Sequence, residues 1–190
     1  MHLIQLIEKN PIVVIDLKTS GLNYAFDTIV DIGAVKIGGW NKIAGSDGND
    51  IITDGKIIGH YSTFLIPTAK LSNKLTDSNK KTPICIADAL QQLKRFTDDS
   101  IVVAYNLEFH YKFLRYYGNK YHISFDNRKI DILSVAKTIF RDKIKDYTLS
   151  SLTKKFNIEY HPQQALSEAI AAAQLFLELA QRDDESHCNY

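Results

Sequence analysis

The stretch Ile12–Leu22, which reads IVVIDLKTSGL, decides the fold of this chain. Its apolar, mostly β-branched start predicts a buried strand, and the Thr19–Gly21 segment predicts a turn. The carboxylate of Asp16 lies at the end of that strand. Because side chains alternate across a strand, Asp16 and Lys18 are expected to point toward the same face. Two acids at this spacing would form one wall of a metal site, but here the second position is a lysine.

Length and composition are those of an ordinary globular chain. The 190 residues are 45% hydrophobic and 24% charged, with a formal net charge of +1. A nucleic-acid site would therefore be local rather than spread over a basic surface. Cys85 and Cys188 are too few for a disulfide framework and lack metal-ligand spacing, which favours a reducing, cytoplasmic setting. Apolar runs stay well short of the ~20 residues that span a bilayer, so no membrane partner is expected.

Hydrophobic periodicity divides the chain into strands and helices. We expect strands at 11–17, 28–37, 57–66 and 101–104, short ones near 51–52 and 130, and helices at 84–97, 107–118, 131–140, 149–156 and 165–181. A long loop is expected at 38–56 and a polar surface connection at 68–82. The pattern predicts one α/β domain over 1–190, with its core at about 11–181, a short N-terminal helix at about 2–9 and a polar, frayed tail at 182–190.

Several motifs carry a family resemblance. The segment Asp16–Gly21 resembles D-x-E-T-T/S-G, and Ile29–Val35 resembles I-x-E-I-G-A-V. Ala104–Leu114 resembles A-H-N-A-x-F-D-x-x-F-L, and Gln163–Ala169 resembles H-x-A-L-x-D-A. In this order and at these separations, the chain resembles the DEDD-type 3′–5′ exonucleases over roughly residues 11–180. The closest group is the histidine branch, which includes polymerase proofreading (epsilon-type) domains and ribonuclease T.

The resemblance implies a fold, a chemistry and a set of site positions. The fold would be ribonuclease H-like α/β, a mixed sheet of antiparallel hairpin strands plus parallel strands flanked by helices. The chemistry would be hydrolysis of single-stranded DNA or RNA from the 3′ end with two divalent cations, Mg²⁺ or Mn²⁺. The implied catalytic positions are Asp16, Lys18, His110, Gln163 and Glu168. The implied substrate-binding positions are Thr19, Gly21, Leu22, Asn23, Asn106 and Phe109.

Three of the five catalytic positions depart in kind from the family pattern. With His110 neutral and both acids ionised, the five side chains carry a net charge of −1, against −4 from the four acids of the family. A lysine ammonium ~4 Å from a divalent cation would be repelled by several kcal/mol at an effective dielectric near ~20. Gln163 cannot accept a proton near neutral pH, so the general base is missing from its usual place. We expect an impaired or inactive enzyme that still binds nucleic acid, with a weak or absent metal held, if at all, by Asp16 and Glu168.

Several residues have two interpretations. Lys18 is expected to sit between Asp16 and Glu168, where a metal would have been. His110 could ligate a metal such as Mn²⁺ or Zn²⁺, but its place on an apolar helical stripe favours a partly buried structural histidine. His161 could swing in from its loop to replace the missing base. Glu168 is most simply a first-turn helix acid, although its motif directs it toward the cleft.

Other surfaces also leave alternatives open. The aromatic series could stack nucleobases, but its helical spacing favours the core; it comprises Tyr105, Phe109, Tyr111, Phe113, Tyr116, Tyr117 and Tyr121. Four lysines, Lys143, Lys145, Lys154 and Lys155, favour a solvated helix face. Two other function classes stay open. One is an active exonuclease with a reduced, Mn²⁺-dependent site that uses His110 and His161. The other is a polymerase-associated or other protein-interaction module, with loop 38–56, Trp40 and helix 2–9 as its candidate surfaces.

Overall fold

The computed structural model describes residues 3–38, 41–44, 50–53, 56–65 and 84–185. The strands are β1 Ile12–Thr19, β2 Ile29–Gly38, β3 Asn41–Ala44, β4 Asp50–Thr53, β5 Lys56–Phe64, β6 Ile101–Ala104 and β7 Lys129–Asp131. The helices are α1 Leu3–Lys9, α2 Ile86–Thr97, α3 Leu107–Lys120, α4 Ile132–Phe140, α5 Leu149–Lys155 and α6 Ala165–Glu185, with a 3₁₀ turn at Arg141–Lys143.

Five of these strands form one mixed sheet in the order β5-β2-β1-β6-β7. Strand β2 runs antiparallel to both of its neighbours, β1 and β5. Strands β1 and β2 follow each other directly in the sequence, and such consecutive strands commonly pair in this way. Strands β1, β6 and β7 are parallel, with helices in the crossovers between them. The expected ribonuclease H-like arrangement of antiparallel and parallel strands is therefore confirmed. Strands β3 and β4 pair with each other in a separate hairpin.

The alternation of side chains along β1 divides the core into two layers, one on each face of the sheet. Ile12 and Val14 pack on one face with α1, α4, α5 and α6. Val13, Ile15 and Leu17 pack on the other face with α2 and α3. Asp16 and Lys18 have the same parity as Ile12 and Val14, so they point toward the layer that contains α6. This parity places the candidate site at the end of β1, under the start of α6.

Two elements differ from the sequence prediction. Strand β3 was expected to be loop, because its four residues are too short and polar to show a strand period. Helix α6 continues to Glu185, whereas a frayed tail was expected from Arg182. The backbone N–H of Leu3 donates to Asp183 at 3.0 Å, so α1 holds the last turns of α6 in the helical conformation.

Some sequence expectations fall outside the described residues. These are the connection 68–82, Trp40 and the last residues of the tail, 186–190. None of the described helices combines the length and the apolar character needed to cross a bilayer. The cytoplasmic setting and the single-domain organisation stay predictions.

Candidate active site

The end of β1 forms the floor of the candidate site. Asp16 pairs across the sheet with Gly33 of β2, and Lys18 pairs with Asp31. Strand β6 accompanies β1 only as far as Ile15. The last residues of β1 therefore extend beyond the end of β6, and a pocket can open there at this end of the sheet. Asp16 is buried, while the side chain of Lys18 is 25% exposed.

The ammonium of Lys18 joins two carboxylates from distant parts of the chain. Its Nζ lies 2.9 Å from Oδ2 of Asp16 and 2.7 Å from Oε1 of Glu168. The side chains of Asp16 and Glu168 are 9% and 14% exposed, so both ion pairs are largely sheltered from water. The expectation that Lys18 lies between the two acids is confirmed.

A close approach between α6 and β2 brings Glu168 within reach of β1. A Cβ atom on Gly33 would lie 2.2 Å from the backbone carbon of Ala165, which is far inside van der Waals contact. The absence of a side chain at position 33 therefore allows the first turn of α6 to rest on the sheet. Asp31 holds that turn in place, because its Oδ2 accepts the N–H of Ala165 at 2.8 Å.

Glu168 also organises the turn that precedes α6. Its Oε1 accepts the backbone N–H of Gln163 at 2.9 Å. Gln163 has a φ of 77°, in the left-handed region, and its side chain is exposed. His161, the candidate substitute base, points elsewhere: its Nε2 lies 2.8 Å from Oε1 of Glu159, and both side chains are well exposed. The expectation that His161 could replace the missing base is not supported by this geometry.

His110 is a buried structural histidine. Its Nδ1 accepts the backbone N–H of Leu17 at 3.1 Å, and its Nε2 lies 3.1 Å from the carbonyl oxygen of Tyr105. An acceptor at Nδ1 and a donor at Nε2 define the neutral ring with the proton on Nε2. Both nitrogens are therefore engaged with the main chain, and neither offers a lone pair to a metal. This geometry agrees with the structural interpretation of His110, which stays a prediction.

Burial and charge set the protonation of the three central groups. Burial raises the pKa of Asp16 to about 7, although Lys18 acts in the opposite direction. Burial alone would lower the pKa of Lys18, but Asp16 and Glu168 outweigh it and raise that pKa. Burial lowers the pKa of His110 to about 4, and the charge of Lys18 acts in the same direction. Lys18 is thus the cation of the site at neutral pH, and His110 is uncharged.

The loop between β1 and β2 lies beside this cluster and is held by its own hydrogen bonds. Asp27 accepts from the Ser20 hydroxyl at 3.1 Å and from the Asn23 N–H at 2.9 Å. The Asp27 carboxylate packs against Gly21, where a Cβ would approach it to 2.4 Å. Thr19 donates from its hydroxyl to the Gly21 carbonyl at 2.6 Å. The predicted substrate-binding positions in this segment therefore lie together in one fixed turn.

Two apolar side chains project from that fixed turn. Leu22 is 85% exposed, and Phe26 is 89% exposed. Leu22 was a predicted substrate-binding position, but Phe26 was missed, because no periodicity extends into a loop. Tyr24 and Tyr116 stand beside them with ring centroids 5.6 Å apart. The loop thus presents apolar surface to solvent next to the acid cluster.

The second predicted substrate-binding pair lies at the start of α3. Asn106 adopts the left-handed conformation, with φ 57°, and its side chain is exposed. Phe109 is half-buried and packs against the rings of His110 and Phe113. Asp131 accepts the N–H of Leu107 at 3.1 Å, which ties the start of α3 to β7.

The prediction that the aromatic series belongs to the core is confirmed for most of its members, with Tyr116 the exposed exception.

Tyr160 is a further neighbour that the sequence did not indicate. Burial, and after it the charge of Glu168, raises the pKa of the Tyr160 hydroxyl. The sequence gives no signal for this residue, because the turn at Gln163 that follows it folds back onto Glu168 only in the tertiary structure.

Comparison with known proteins identifies the family. The RNase T exonuclease family model matches residues 13–176. The chain belongs to this exonuclease family. It is a DEDD-type 3′–5′ exonuclease domain by family, as the motifs predicted.

Relatives of this exonuclease domain include large polymerases. DNA polymerase III PolC-type of Thermotoga maritima is 32% identical over 173 residues, which cover 87% of this chain and 11% of the polymerase. The same polymerase type of Bacillus subtilis is 27% identical over 196 residues, covering 98% of this chain and 12% of the polymerase. The exonuclease domain described here thus spans only about an eighth of the length of these relatives.

Solved structures share the fold of this exonuclease domain. Exonuclease I of E. coli in complex with a dT13 oligonucleotide matches with a TM-score of 0.67 at 15% identity, over 94% of this chain and 43% of that one. Exonuclease X in complex with 5′ overhanging duplex DNA matches with a TM-score of 0.55 at 18% identity, over 90% and 91% of the two chains. At these identities the likeness establishes the fold alone.

The residues of this exonuclease domain do not fit the divalent metal that the family uses. Hard cations need several carboxylate oxygens with open coordination positions. Here the oxygens of Asp16 and Glu168 that face each other already hold the ammonium of Lys18. The described residues also contain no group of three or more His, Cys, Asp or Glu side chains arranged to hold a metal ion.

Proposed function

We propose that this exonuclease domain is impaired in phosphodiester hydrolysis and acts by binding the 3′ end of single-stranded nucleic acid. The observation that carries the first part is the position of Lys18, with Nζ 2.9 Å from Asp16 and 2.7 Å from Glu168. Two-metal hydrolysis needs cations on both the attacking and the leaving oxygen. A lysine ammonium between the two remaining acids supports neither cation.

The position of the general base supports the same proposal. Gln163 occupies it, and an amide does not take a proton from water near neutral pH. His161, two residues before Gln163, is paired with Glu159 at the surface. An active enzyme with a reduced site was the alternative, with His110 and His161 as its ligands. That alternative is disfavoured, because His110 uses both ring nitrogens on the main chain.

Retained binding is supported by the loop beside the cluster. Leu22 and Phe26 are almost fully exposed on a turn fixed by Asp27, so binding through their apolar surface would not have to order the backbone of the turn. An apolar or aromatic side chain at such a place can cover or stack on a base, which is sequence-tolerant. E. coli exonuclease I, which shares the fold, is known in complex with a dT13 oligonucleotide.

The test combines hydrolysis and binding on one substrate. A 5′-labelled single-stranded oligonucleotide, as DNA and as RNA, is incubated with the wild-type protein in Mg²⁺ or Mn²⁺. We expect no shortening from the 3′ end and a retained gel shift, with binding weakened about tenfold in Leu22→Ala. Ile58→Ala, which truncates a 61% exposed residue of β5 away from the cluster, is the matched control. A 3′-to-5′ ladder that Asp16→Ala abolishes would contradict the proposed impairment.

A second candidate function follows from the relatives. They are DNA polymerases of the PolC type, in which a segment like this one makes up 11–12% of the chain. A polymerase-associated role without nucleic-acid binding predicts no affinity for single strands even at low salt, where phosphate contacts are strongest. In that case helix α1 and the 38–56 region are the first surfaces to mutate.

A further inference from the structure

The ion pairs of Lys18 connect two elements that the sequence separates by about 150 residues. Lys18 and Asp16 belong to β1, and Glu168 belongs to the first turn of α6. Through its Oε1, Glu168 also accepts the N–H of Gln163 and so fixes the turn before α6. The ammonium therefore lies at the centre of a chain of contacts that runs from the floor of the cleft to one of its walls.

Without a cation, this arrangement would be repulsive. Asp16 and Glu168 are largely buried, and both are oriented toward one point, the Lys18 ammonium. Two sheltered carboxylates that share a site disfavour each other's ionised form. A metal-dependent site would obtain its compensating charge from solution, and its order would depend on the divalent ion concentration. In this chain the compensating charge is covalently part of β1.

We propose that Lys18 is a built-in cation that assembles the cleft, so that the domain is ordered and binds single-stranded 3′ ends independently of divalent metal. The statement about ligand binding rests on the proposed function, whereas the statement about assembly rests on the ion pairs alone. The substitution Lys18→Glu would reverse this arrangement, because it gives three neighbouring acids whose combined charge, when all are ionised, is −3 in place of −1. That variant would require a divalent cation to hold β1 and α6 together.

The first test measures assembly without nucleic acid. Thermal melting is followed in EDTA, in Mg²⁺ and in Mn²⁺, and Mn²⁺ binding is measured directly by electron paramagnetic resonance. Wild-type protein should melt at the same temperature in all three buffers and bind no Mn²⁺ at millimolar concentration. Lys18→Glu should melt roughly 5 °C or more below wild type in EDTA, recover in Mn²⁺ and bind the ion.

The matched control carries the same change in an exposed ion pair. Lys112→Glu removes the pair between Lys112 and Glu108, which lie 3.4 Å apart with about half or more of each side chain in solvent. Its melting temperature should be nearly unchanged and insensitive to metal, because exposed pairs contribute little. Lys18→Arg, which keeps the positive charge, should also stay insensitive. Mn²⁺ binding to the wild-type protein, or a metal-dependent rise in its melting temperature, would overturn the proposal even if Lys18→Glu does not fold.

The second test separates this proposal from the proposed function. Wild-type affinity for a fluorescent single-stranded oligonucleotide is measured in EDTA and in Mg²⁺ at constant ionic strength, and we expect values within about twofold. Binding that requires Mg²⁺ would overturn metal-independent recognition while leaving the binding function intact. Absence of binding in both buffers, with wild-type melting still insensitive to metal, would overturn the binding function and leave the lysine-assembled cleft in place.

Discussion

At the scale of single residues, the site is defined by which charged and polar groups form ion pairs and hydrogen bonds with one another. Lys18 forms ion pairs with both Asp16 and Glu168, while the hydrogen bonds of His110 go to main-chain groups. The sequence predicted the first arrangement, because strand alternation puts residues 16 and 18 on one face and the third motif marks residue 168. It could not predict the partners of His110. Those are backbone atoms that become accessible only because β6 ends at Ala104 while β1 continues to Thr19.

The buried neutral state of His110 predicts a pH effect. The folded protein takes up a proton on this ring only near pH 4, whereas the unfolded chain does so near pH ~6.5. Between these values the unfolded state binds more protons, so the stability contributed by His110 is present above pH ~6.5 and is lost as the pH falls toward 4. The wild-type free energy of unfolding, minus that of His110→Asn, should rise by up to about 1.4 kcal/mol per pH unit across this window.

The stability of wild type is compared with that of His110→Asn because Asp16 changes the free energy of unfolding with pH in the opposite direction to His110. Burial keeps the proton of Asp16 bound in the folded state up to about pH 7, so its contribution to stability falls as the pH rises from about 4 to 7. Asp16 is common to both proteins, so the difference removes the part of its effect that does not depend on the His110 ring, whose Nε2 lies 3.6 Å from Oδ1 of Asp16. Urea denaturation at half-unit pH intervals provides the measurement, and parallel curves for the two proteins would show that His110 is not buried in its neutral form.

At the scale of elements, the contact between β2 and the start of α6 positions Glu168. Gly33 makes room for the backbone of Ala165, and Asp31 accepts that residue's N–H. The motif containing Gly33 could be recognised in the sequence. The need for a glycine there could not, because the helix that packs against it begins 132 residues later. Similarly, the end of α6 was predicted too early, because the contact of Asp183 with α1 is tertiary and leaves no local signal.

Gly33→Ala should separate α6 from the sheet. The new Cβ would meet backbone atoms, which cannot rotate away, so we expect a loss of about 1–3 kcal/mol or more in the free energy of unfolding. Gly59→Ala is the control within the same sheet, because its nearest neighbour would be a Phe96 ring atom at 4.0 Å. The measurement is chemical denaturation of both variants. Equal stabilities would show that α6 does not rest on β2 in the way described.

At the scale of the whole molecule, the alternating pattern of strands and helices was sufficient to predict a mixed sheet with helices on both faces. The apolar runs Ile12–Ile15 and Ile101–Ala104 are buried on both sides, and they form the central pair of that sheet. The hairpin of β3 and β4 was predicted only in part, because its segments are short and polar. The family model places this chain among exonucleases, and the structure places one lysine at the end of β1 between the two acids Asp16 and Glu168.

The most direct test of the central claim is to locate the cation in the cleft. Crystals of the wild-type protein are soaked in manganese chloride, and anomalous differences are collected at a wavelength where manganese scatters strongly. We expect no manganese peak beside Asp16 or Glu168, and a Lys18 Nζ that lies 2.9 Å from Asp16 and 2.7 Å from Glu168, as in the ion pairs described above. A manganese peak coordinated by these two acids, with the Lys18 side chain displaced into solvent, would contradict this expectation.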